Sequence, residues 1–272
     1  MQFVEAKGAK IPAIGLGTSE LQRRTCARLV EQALKLGYRH IDTAQAYDNE
    51  REVGEGLRAS GVRRDDVFVT TKVWTTHFAP HELERSTKDS LVKLRMPEVD
   101  LLLLHWPNPQ VPLAETMGAL AHAKRIGLAK HIGVSNFTVA LIEEAVKACP
   151  EPLVCDQVEY HPYLDQAKVR KVCAQHDLAL VAYSPVAKGR IKNDQILKEI
   201  GRAHGRTAAQ VCLRWLVQQN VCAIPRTSRV ERLSENIDVF DFALSDAEMD
   251  QIFALASANG RLTDFGFAPK WD

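Results

Sequence analysis

Four residues of the types used in proton transfer stand at or just beyond short apolar runs of the chain: Asp42, Tyr47, Lys72 and His105. An ammonium group near a phenol favours the phenolate, so we expect Lys72 to lower the pKa of Tyr47 toward a range useful for proton donation. Asp42 would keep Lys72 charged and oriented, and His105 would hydrogen-bond to a substrate oxygen. This set suits protonation of the alkoxide that forms when a hydride reaches a carbonyl carbon.

A hydride has to come from a cofactor, because no side chain supplies one. Tyr183 could stack on a flat ring, and three polar residues could bind a carboxamide: Ser135, Asn136 and Gln157. A phosphate could be bound by a second group, in which arginine offers bidentate contacts: Arg226, Thr227, Ser228 and Arg232.

Other interpretations of these residues remain open at this stage. A single Asp after a strand is most often a helix cap, although four such residues at one rim are hard to explain in that way. Lys72 could instead form a Schiff base, as in an aldolase. The chain could also be a regulatory barrel that binds a nicotinamide nucleotide without catalysis. His77 and His81 are separated by Pro80, so we expect no metal site there or elsewhere.

Eight short runs rich in apolar and β-branched residues are typical of parallel strands covered on both faces. They are Ala13–Gly17, His40–Thr43, Val67–Val73, Val99–His105, His131–Ser135, Leu153–Val158, Leu178–Ser184 and Val221–Pro225. Amphipathic segments separate them, with Asp48 or Asn49 expected to cap one helix and Thr207 another.

Eight β-α units in 272 residues predict a single-domain α/β protein with a (β/α)8 TIM barrel, spanning residues 1–272. A doubly wound open sheet is the alternative, but the glycines from Gly15 onward do not complete a dinucleotide-binding G-x-G-x-x-G pattern. The first twelve residues are expected to form a hairpin outside the barrel. The tail Arg261–Asp272 has no helical pattern and could lie as a loop over one end, the active-site face.

Composition excludes several classes of partner. The formal net charge is +1, which predicts neither a nucleic-acid-binding nor an anionic-membrane-binding surface. No apolar run approaches the roughly 20 residues that cross a bilayer, and the segment from Met1 to Glu5 shows no signal-peptide pattern. Six cysteines without a C-x-x-C motif suggest reduced, buried thiols. We therefore expect a cytoplasmic protein, and a monomer by default.

Several longer motifs resemble the aldo-keto reductase family. Gly37–Ala44, followed by Tyr47, Asn49-Glu50 and Val53-Gly54, resembles its first signature, and Asp100–Pro107 resembles its second. The third corresponds to Ile224–Thr227 with Arg232 and Glu235-Asn236. Further family segments are Gly133–Phe137, Gln157–Pro162 and Tyr183–Pro185. The resemblance runs from about Ile11 to the end of the chain.

The resemblance implies a reductase of aldehydes or ketones that binds NADP(H) across the C-terminal rim of the barrel and prefers NADPH to NADH. Tyr47 would be the general acid, tuned by Lys72 and Asp42, with His105 orienting the carbonyl. Trp74 and Trp106 would be substrate-pocket walls beside Tyr47 and His105. The implied cofactor-binding residues are Thr18, Asp42, Ser135, Asn136, Gln157, Tyr183, Ser184, Pro225, Arg226, Thr227, Ser228, Arg232, Glu235 and Asn236.

Three features depart from the usual family pattern. Arg226 stands where most members have lysine, which keeps the charge but changes its reach and geometry. Ser19 stands where many members carry tryptophan, which should widen the pocket or change its lining. The segment between His105 and Ser135 and the C-terminal tail are short, as in small bacterial members similar to 2,5-diketo-gluconate reductases. We expect such short loops to leave an open site with broad selection for small carbonyl substrates.

Overall fold

In the computed structural model, a sheet of eight parallel strands follows an N-terminal antiparallel hairpin. The structure describes residues 2–272. The hairpin pairs β1 with β2, and each later strand lies beside the next one along the chain. The strands are β1 (Phe3–Ala6), β2 (Ala9–Pro12), β3 (Leu16–Gly17), β4 (His40–Asp42), β5 (Phe68–Val73), β6 (Val99–Leu104), β7 (Ala129–Ser135), β8 (Leu153–Glu159), β9 (Ala179–Tyr183) and β10 (Cys222–Ala223).

Backbone hydrogen bonds join the segment that leads into β3 to β10, so the sheet closes on itself. The Gly15 N–H donates to the Ala223 carbonyl at 2.9 Å, and the Ala223 N–H donates to the Ala13 carbonyl at 2.8 Å. Ile14 and Ala223 also form a parallel bridge. Gly17 lies so close to this seam that a Cβ atom there would be 2.8 Å from the Ile224 carbonyl oxygen. The predicted (β/α)8 barrel and its N-terminal hairpin are confirmed.

Helices connect the strands and cover the outside of the barrel, as parallel strands require. They are α1 (Arg23–Lys35), α2 (Glu50–Ala59), α3 (Pro80–Leu94), α4 (Leu113–Arg125), α5 (Val139–Ala148), α6 (Ala167–Gln175), α7 (Gln195–His204), α8 (Ala208–Gln218), α9 (Val230–Ile237) and α10 (Asp246–Phe253). Within residues 2–272, no helix has the length and apolar character needed to span a membrane.

Thr207 caps α8 as predicted, because its side chain accepts from the Gln210 N–H in a capping box. Asn49 does occupy the N-cap position of α2, but its side chain makes no cap hydrogen bond. The amide instead donates to the carbonyls of Thr18 and Leu21, each at 2.8 Å. Asn49 therefore ties the loop after β3 to the start of α2, and its expected capping role is wrong.

The packing has two apolar layers on either side of the strands. The barrel interior includes Leu101, Leu103, Cys155 and Val181, while a larger cluster fills the space between strands and helices. All six cysteines are free, and Cys149 is the one of them that is only half-buried. After α10, residues 254–272 contain neither helix nor strand, in agreement with the expected loop.

Candidate active site

The four expected catalytic residues come together at the C-terminal ends of the barrel strands. Asp42 is the last residue of β4, Lys72 lies one residue before the end of β5, and His105 directly follows β6. Tyr47 lies on a single turn of 3₁₀ helix formed by Gln45–Tyr47, just after β4. Parallel strands of a barrel end at the same rim, so separate short segments can deliver these side chains to one place.

The ammonium group of Lys72 is the centre of this cluster. Its Nζ donates to Asp42 Oδ1 at 2.5 Å, to the Thr43 carbonyl at 3.0 Å and to Tyr47 Oη at 3.4 Å. Both charged side chains are 1% exposed. A buried ion pair persists only when the remaining polar atoms are satisfied, and these three acceptors match the three donors of the ammonium group.

Tyr47 is half-buried, and the pKa of its hydroxyl is raised above the ordinary tyrosine value. Desolvation of the hydroxyl is the larger influence, and Lys72 opposes it without overcoming it. The expected net lowering of the Tyr47 pKa is therefore wrong. Lys72 taken alone does act to lower that pKa, as expected. Burial also acts to lower the pKa of Lys72, but Asp42 and Tyr47 outweigh it and raise that pKa. The resting site thus holds a neutral phenol beside an ammonium group.

His105 faces Tyr47 and Trp74 across the same cavity. The His105 ring centroid lies 5.5 Å from that of Tyr47 and 5.3 Å from that of Trp74, both edge to face. Burial, and secondarily the Lys72 charge, hold the His105 pKa well below its ordinary value. The imidazole is therefore neutral near pH 7 and can act as a hydrogen-bonding group.

A relay of amide and hydroxyl groups continues from Asp42 around the rim. Gln157 Nε2 donates to Asp42 Oδ2 at 2.8 Å, and Ser135 Oγ donates to the Gln157 carbonyl at 2.8 Å. Asn136 Nδ2 donates to Ser135 Oγ at 3.1 Å, while Tyr183 Oη donates to Asn136 Oδ1 at 2.8 Å. The structure thus brings the predicted carboxamide-binding group together with the Tyr183 ring.

One cavity of about 850 Å³ joins this cluster to the predicted phosphate-binding residues. Its walls include Tyr47, His105, Trp74 and Trp106. The same cavity is lined by residues that follow β10 and enter α9: Arg226, Thr227, Ser228, Arg229, Arg232, Glu235 and Asn236. Ser135, Asn136, Gln157, Tyr183 and Ser184 lie along the same cavity, so its polar lining is continuous.

Two arginines of this cavity lining are paired with carboxylates. Arg226 Nη2 lies 2.9 Å from Glu20 Oε2, and its Nε donates to the Ser19 carbonyl at 3.1 Å. Arg232 Nη1 lies 2.5 Å from Glu235 Oε2. An anion that binds these arginines would have to displace the carboxylates or share the arginines with them.

Two expected cofactor-binding residues do not line the cavity. Thr18 is fully buried, and its Oγ1 donates to the Asp42 carbonyl at 2.9 Å. Pro225 contributes its carbonyl to barrel closure, accepting from the Gly17 N–H at 3.1 Å. Both residues therefore stabilise the backbone next to the rim without lining the cavity.

Sequence reasoning missed several cavity residues because they lie in loops without a recognisable pattern. Lys188 and Lys192 come from an irregular 3₁₀ segment, Ala187–Asn193, after β9. Thr263 and Phe265 come from the C-terminal tail. The basic residues after Pro185, from Lys188 onward, were a signal for the first pair, and the expected place of the tail over the active-site face was a signal for the second. Among residues 2–272, no three His, Cys, Asp or Glu side chains cluster as a metal site.

Comparisons with known proteins agree with this geometry. Residues 13–257 match the model of the aldo/keto reductase family, and the chain belongs to that family. It is 41% identical over 266 residues to a methylglyoxal reductase DkgB from Escherichia coli O157:H7, covering 96% of this chain and 99% of the relative. It is 38% identical to a glyoxal reductase from Bacillus subtilis (strain 168), covering 91% and 90% of the two chains.

Solved structures show the same fold. A candidate 2,5-diketo-D-gluconic acid reductase B is 48% identical, with a TM-score of 0.98 that covers 100% of this chain and 98% of the other. Aldose reductase from Schistosoma japonicum is 31% identical, with a TM-score of 0.91 and coverage of 95% and 94%. The chain is therefore an oxidoreductase of the carbonyl-reducing class, and the expected similarity to small bacterial members is confirmed.

Proposed function

We propose that this protein reduces aldehydes or ketones to alcohols with NADPH, using Tyr47 as the proton donor. The observation that carries the proposal is the contact of the buried Lys72 with both Asp42 and Tyr47, in a cavity that His105 also lines. A small reactive carbonyl such as methylglyoxal is a suitable first substrate, since a relative of 41% identity is named for it.

The residues present fit a nicotinamide dinucleotide phosphate. Ser135, Asn136 and Gln157 offer hydrogen-bonding groups for a carboxamide, and Tyr183 offers a flat ring beside them. Arg226 and Arg232, which line the same cavity, suit a phosphate on the adenosine side. When bound, the cofactor supplies the hydride.

The side chains then provide the proton and hold the substrate. Tyr47 keeps its proton near pH 7, since the ordinary tyrosine pKa is already about 10 and desolvation raises the pKa of Tyr47 further. As negative charge develops on the substrate oxygen, Tyr47 Oη transfers this proton, and Lys72 Nζ, 3.4 Å away, stabilises the phenolate that remains. Neutral His105 hydrogen-bonds to the same oxygen, and Trp74 and Trp106 exclude water from that side.

The Schiff-base alternative fits Lys72 poorly. An amine that attacks a carbonyl must first lose its proton. The pKa of Lys72 is raised, because Asp42 and Tyr47 outweigh the effect of burial. Borohydride should therefore trap no substrate on Lys72. A regulatory barrel without catalysis would bind the nucleotide but leave NADPH unchanged when an aldehyde is added.

NADPH oxidation by the wild-type protein, with methylglyoxal and with an aromatic aldehyde, tests the proposal directly. The Tyr47→Phe variant should lose about 100- to 10,000-fold in kcat, the usual contribution of a general acid, while its Kd for NADPH stays within about two-fold. Tyr160→Phe is a matched control, because its hydroxyl donates to Gln219 Oε1 instead of lining the cavity. Wild-type kcat in Tyr47→Phe would exclude Tyr47 as the acid, and no NADPH oxidation by the wild type would refute the proposal.

A further inference from the structure

The C-terminal tail, residues 254–272, is built without helix or strand hydrogen bonds, yet part of it forms a wall of the cavity. Thr263 and Phe265 line the cavity. Phe265 and Phe267 are 53% and 49% exposed, so burial of their own rings stabilises this wall only weakly. Other contacts must hold it against the barrel.

Glu159 makes the most deeply buried of these contacts. It is the last residue of β8, and its side chain is 0% exposed. Its Oε1 accepts from the Leu262 N–H at 2.7 Å, and its Oε2 accepts from the Thr263 N–H at 2.8 Å. A carboxylate that accepts two successive backbone N–H groups holds that backbone in one position, since hydrogen bonds to a charged acceptor are the stronger kind.

His161 stabilises the charge of this carboxylate. Its Nε2 lies 2.8 Å from Glu159 Oε1, and both side chains are fully buried. Burial alone would raise the pKa of Glu159, but His161 and the amide of Leu262 outweigh it and lower the pKa. Glu159 is therefore ionised near pH 7, with both of its oxygens directed to the tail.

A close backbone contact fixes the start of the same segment. The Ser257 N–H donates to the Tyr163 carbonyl at 3.1 Å. A Cβ atom on Gly260 would lie 1.7 Å from that carbonyl oxygen, so no larger residue fits without moving the chain. The tail is thus held at residues 257–263 against the loop that follows β8.

Aromatic contacts connect the anchored tail to the reacting end of the cavity. Phe267 packs edge to face on Trp74, with ring centroids 5.8 Å apart, and Phe265 packs on Trp106 at 5.6 Å. Trp74 in turn contacts His105 at 5.3 Å. The position of the tail backbone therefore sets the distance between these phenylalanine rings and the proposed carbonyl site.

We infer that Glu159 is a positioning residue that selects substrates by anchoring the C-terminal tail as the outer wall of the carbonyl pocket. The inference rests on the proposed carbonyl reduction. A carbonyl compound with a large aromatic group would contact Phe265 and Phe267, whereas a compound as small as methylglyoxal would react between Tyr47 and His105 without reaching them.

The Glu159→Gln variant tests this inference, since it keeps the side-chain volume but leaves one acceptor oxygen for two tail N–H groups. Biphenyl-4-carbaldehyde, with product measured by chromatography, is the large substrate, and methylglyoxal is the small one. We expect KM for the large aldehyde to rise about five- to ten-fold, the worth of an aromatic contact. For methylglyoxal, kcat/KM should change less than about two-fold, as should the Kd for NADPH.

Two further variants separate positioning from a general loss of structure. Gly260→Ala displaces the same tail without changing the barrel, and it should reproduce the selective rise in KM. Glu143→Gln is the matched control, because Glu143 forms an exposed pair with His176 at 2.9 Å on the protein surface, and it should change nothing.

Hydrogen exchange of peptides within residues 257–272 gives a readout that does not depend on activity. Exchange should become faster in Glu159→Gln and Gly260→Ala, while peptides from β4 to β7 keep their wild-type rates. Unchanged tail exchange would overturn the anchor. Equal loss of activity with both aldehydes would overturn its role in selection. Inactivity of the wild type would contradict the proposed function instead. The exchange measurement would still test whether Glu159 anchors the tail, because it does not depend on activity.

Discussion

At the scale of single residues, the buried pair of Lys72 and Asp42 links catalysis to stability. Both side chains are 1% exposed, so removing one charge leaves the other buried with no opposite charge. Lys72→Met should lower the free energy of unfolding by about 3–5 kcal/mol, as for other broken buried ion pairs. Denaturant unfolding measures this change.

The double variant Asp42→Leu/Lys72→Met is the control for this prediction. An apolar pair of similar size has no uncompensated charge, so it should recover most of the lost stability while remaining inactive. Equal stability of the single and double variants would show that the loss comes from packing rather than from charge.

Arg226 is the residue with which the selection between NADPH and NADH can be tested. Its Nη2 already contacts Glu20 and its Nε donates to the Ser19 carbonyl. The remaining N–H donors of the guanidinium group can bind a ligand. Arg226→Ala should raise the Kd for NADPH about ten-fold, the worth of a charged hydrogen bond, and change the Kd for NADH less than about two-fold. Fluorescence titration measures both constants.

Arg85→Ala serves as the control for Arg226→Ala, because Arg85 pairs with Glu82 on α3, away from the cavity. Equal losses of affinity for the two nucleotides in Arg226→Ala would mean that Arg226 does not distinguish them.

At the scale of elements, β8 carries function on one face and an unusual polar group on the other. Gln157 belongs to the active-site cluster and Glu159 anchors the tail. Asp156 lies next to Gln157 in the sequence and is also fully buried. Neither of its carboxyl oxygens makes a hydrogen bond of normal geometry among residues 2–272, although the Phe137 N–H lies near enough to oppose the effect of burial in part. Burial accordingly raises the Asp156 pKa well above its usual range.

This carboxyl group should make stability depend on pH. The folded state keeps the Asp156 proton where the unfolded chain has lost it, so stability is greatest below the unfolded pKa and falls as pH rises toward the folded pKa. Asp156→Asn removes this effect. Its advantage over the wild type should grow by about 1.4 kcal/mol per pH unit within that window. Unfolding measured from about pH 5 to about pH 8 tests the prediction, and a constant difference would contradict it.

Local helix signals were reliable only where the side chain had no competing partner. Thr207 caps α8 as its position predicts. Asn49 has the same kind of position before α2, but the carbonyls of Thr18 and Leu21 lie within reach of its amide. Those carbonyls belong to the loop after β3, which precedes Asn49 by 28 to 31 residues. Only the folded barrel brings this loop next to Asn49.

At the scale of the whole molecule, the amino-acid sequence by itself determined the barrel and the identity of its polar rim. Apolar runs at regular spacing require strands buried on both faces, and strands with helical connections must run in parallel. Residues at the ends of such strands meet at one rim, which is why Asp42, Lys72 and His105 were recognisable in advance.

Tertiary structure alone decided three properties of this rim. The Tyr47 pKa is raised rather than lowered, because burial depends on all the surrounding segments and exceeds the effect of Lys72. The ion pair between Glu20 and Arg226 joins residues from opposite ends of the chain. The tail reaches the pocket through Glu159, because backbone N–H groups carry no sequence pattern and find their acceptor only when the barrel has closed.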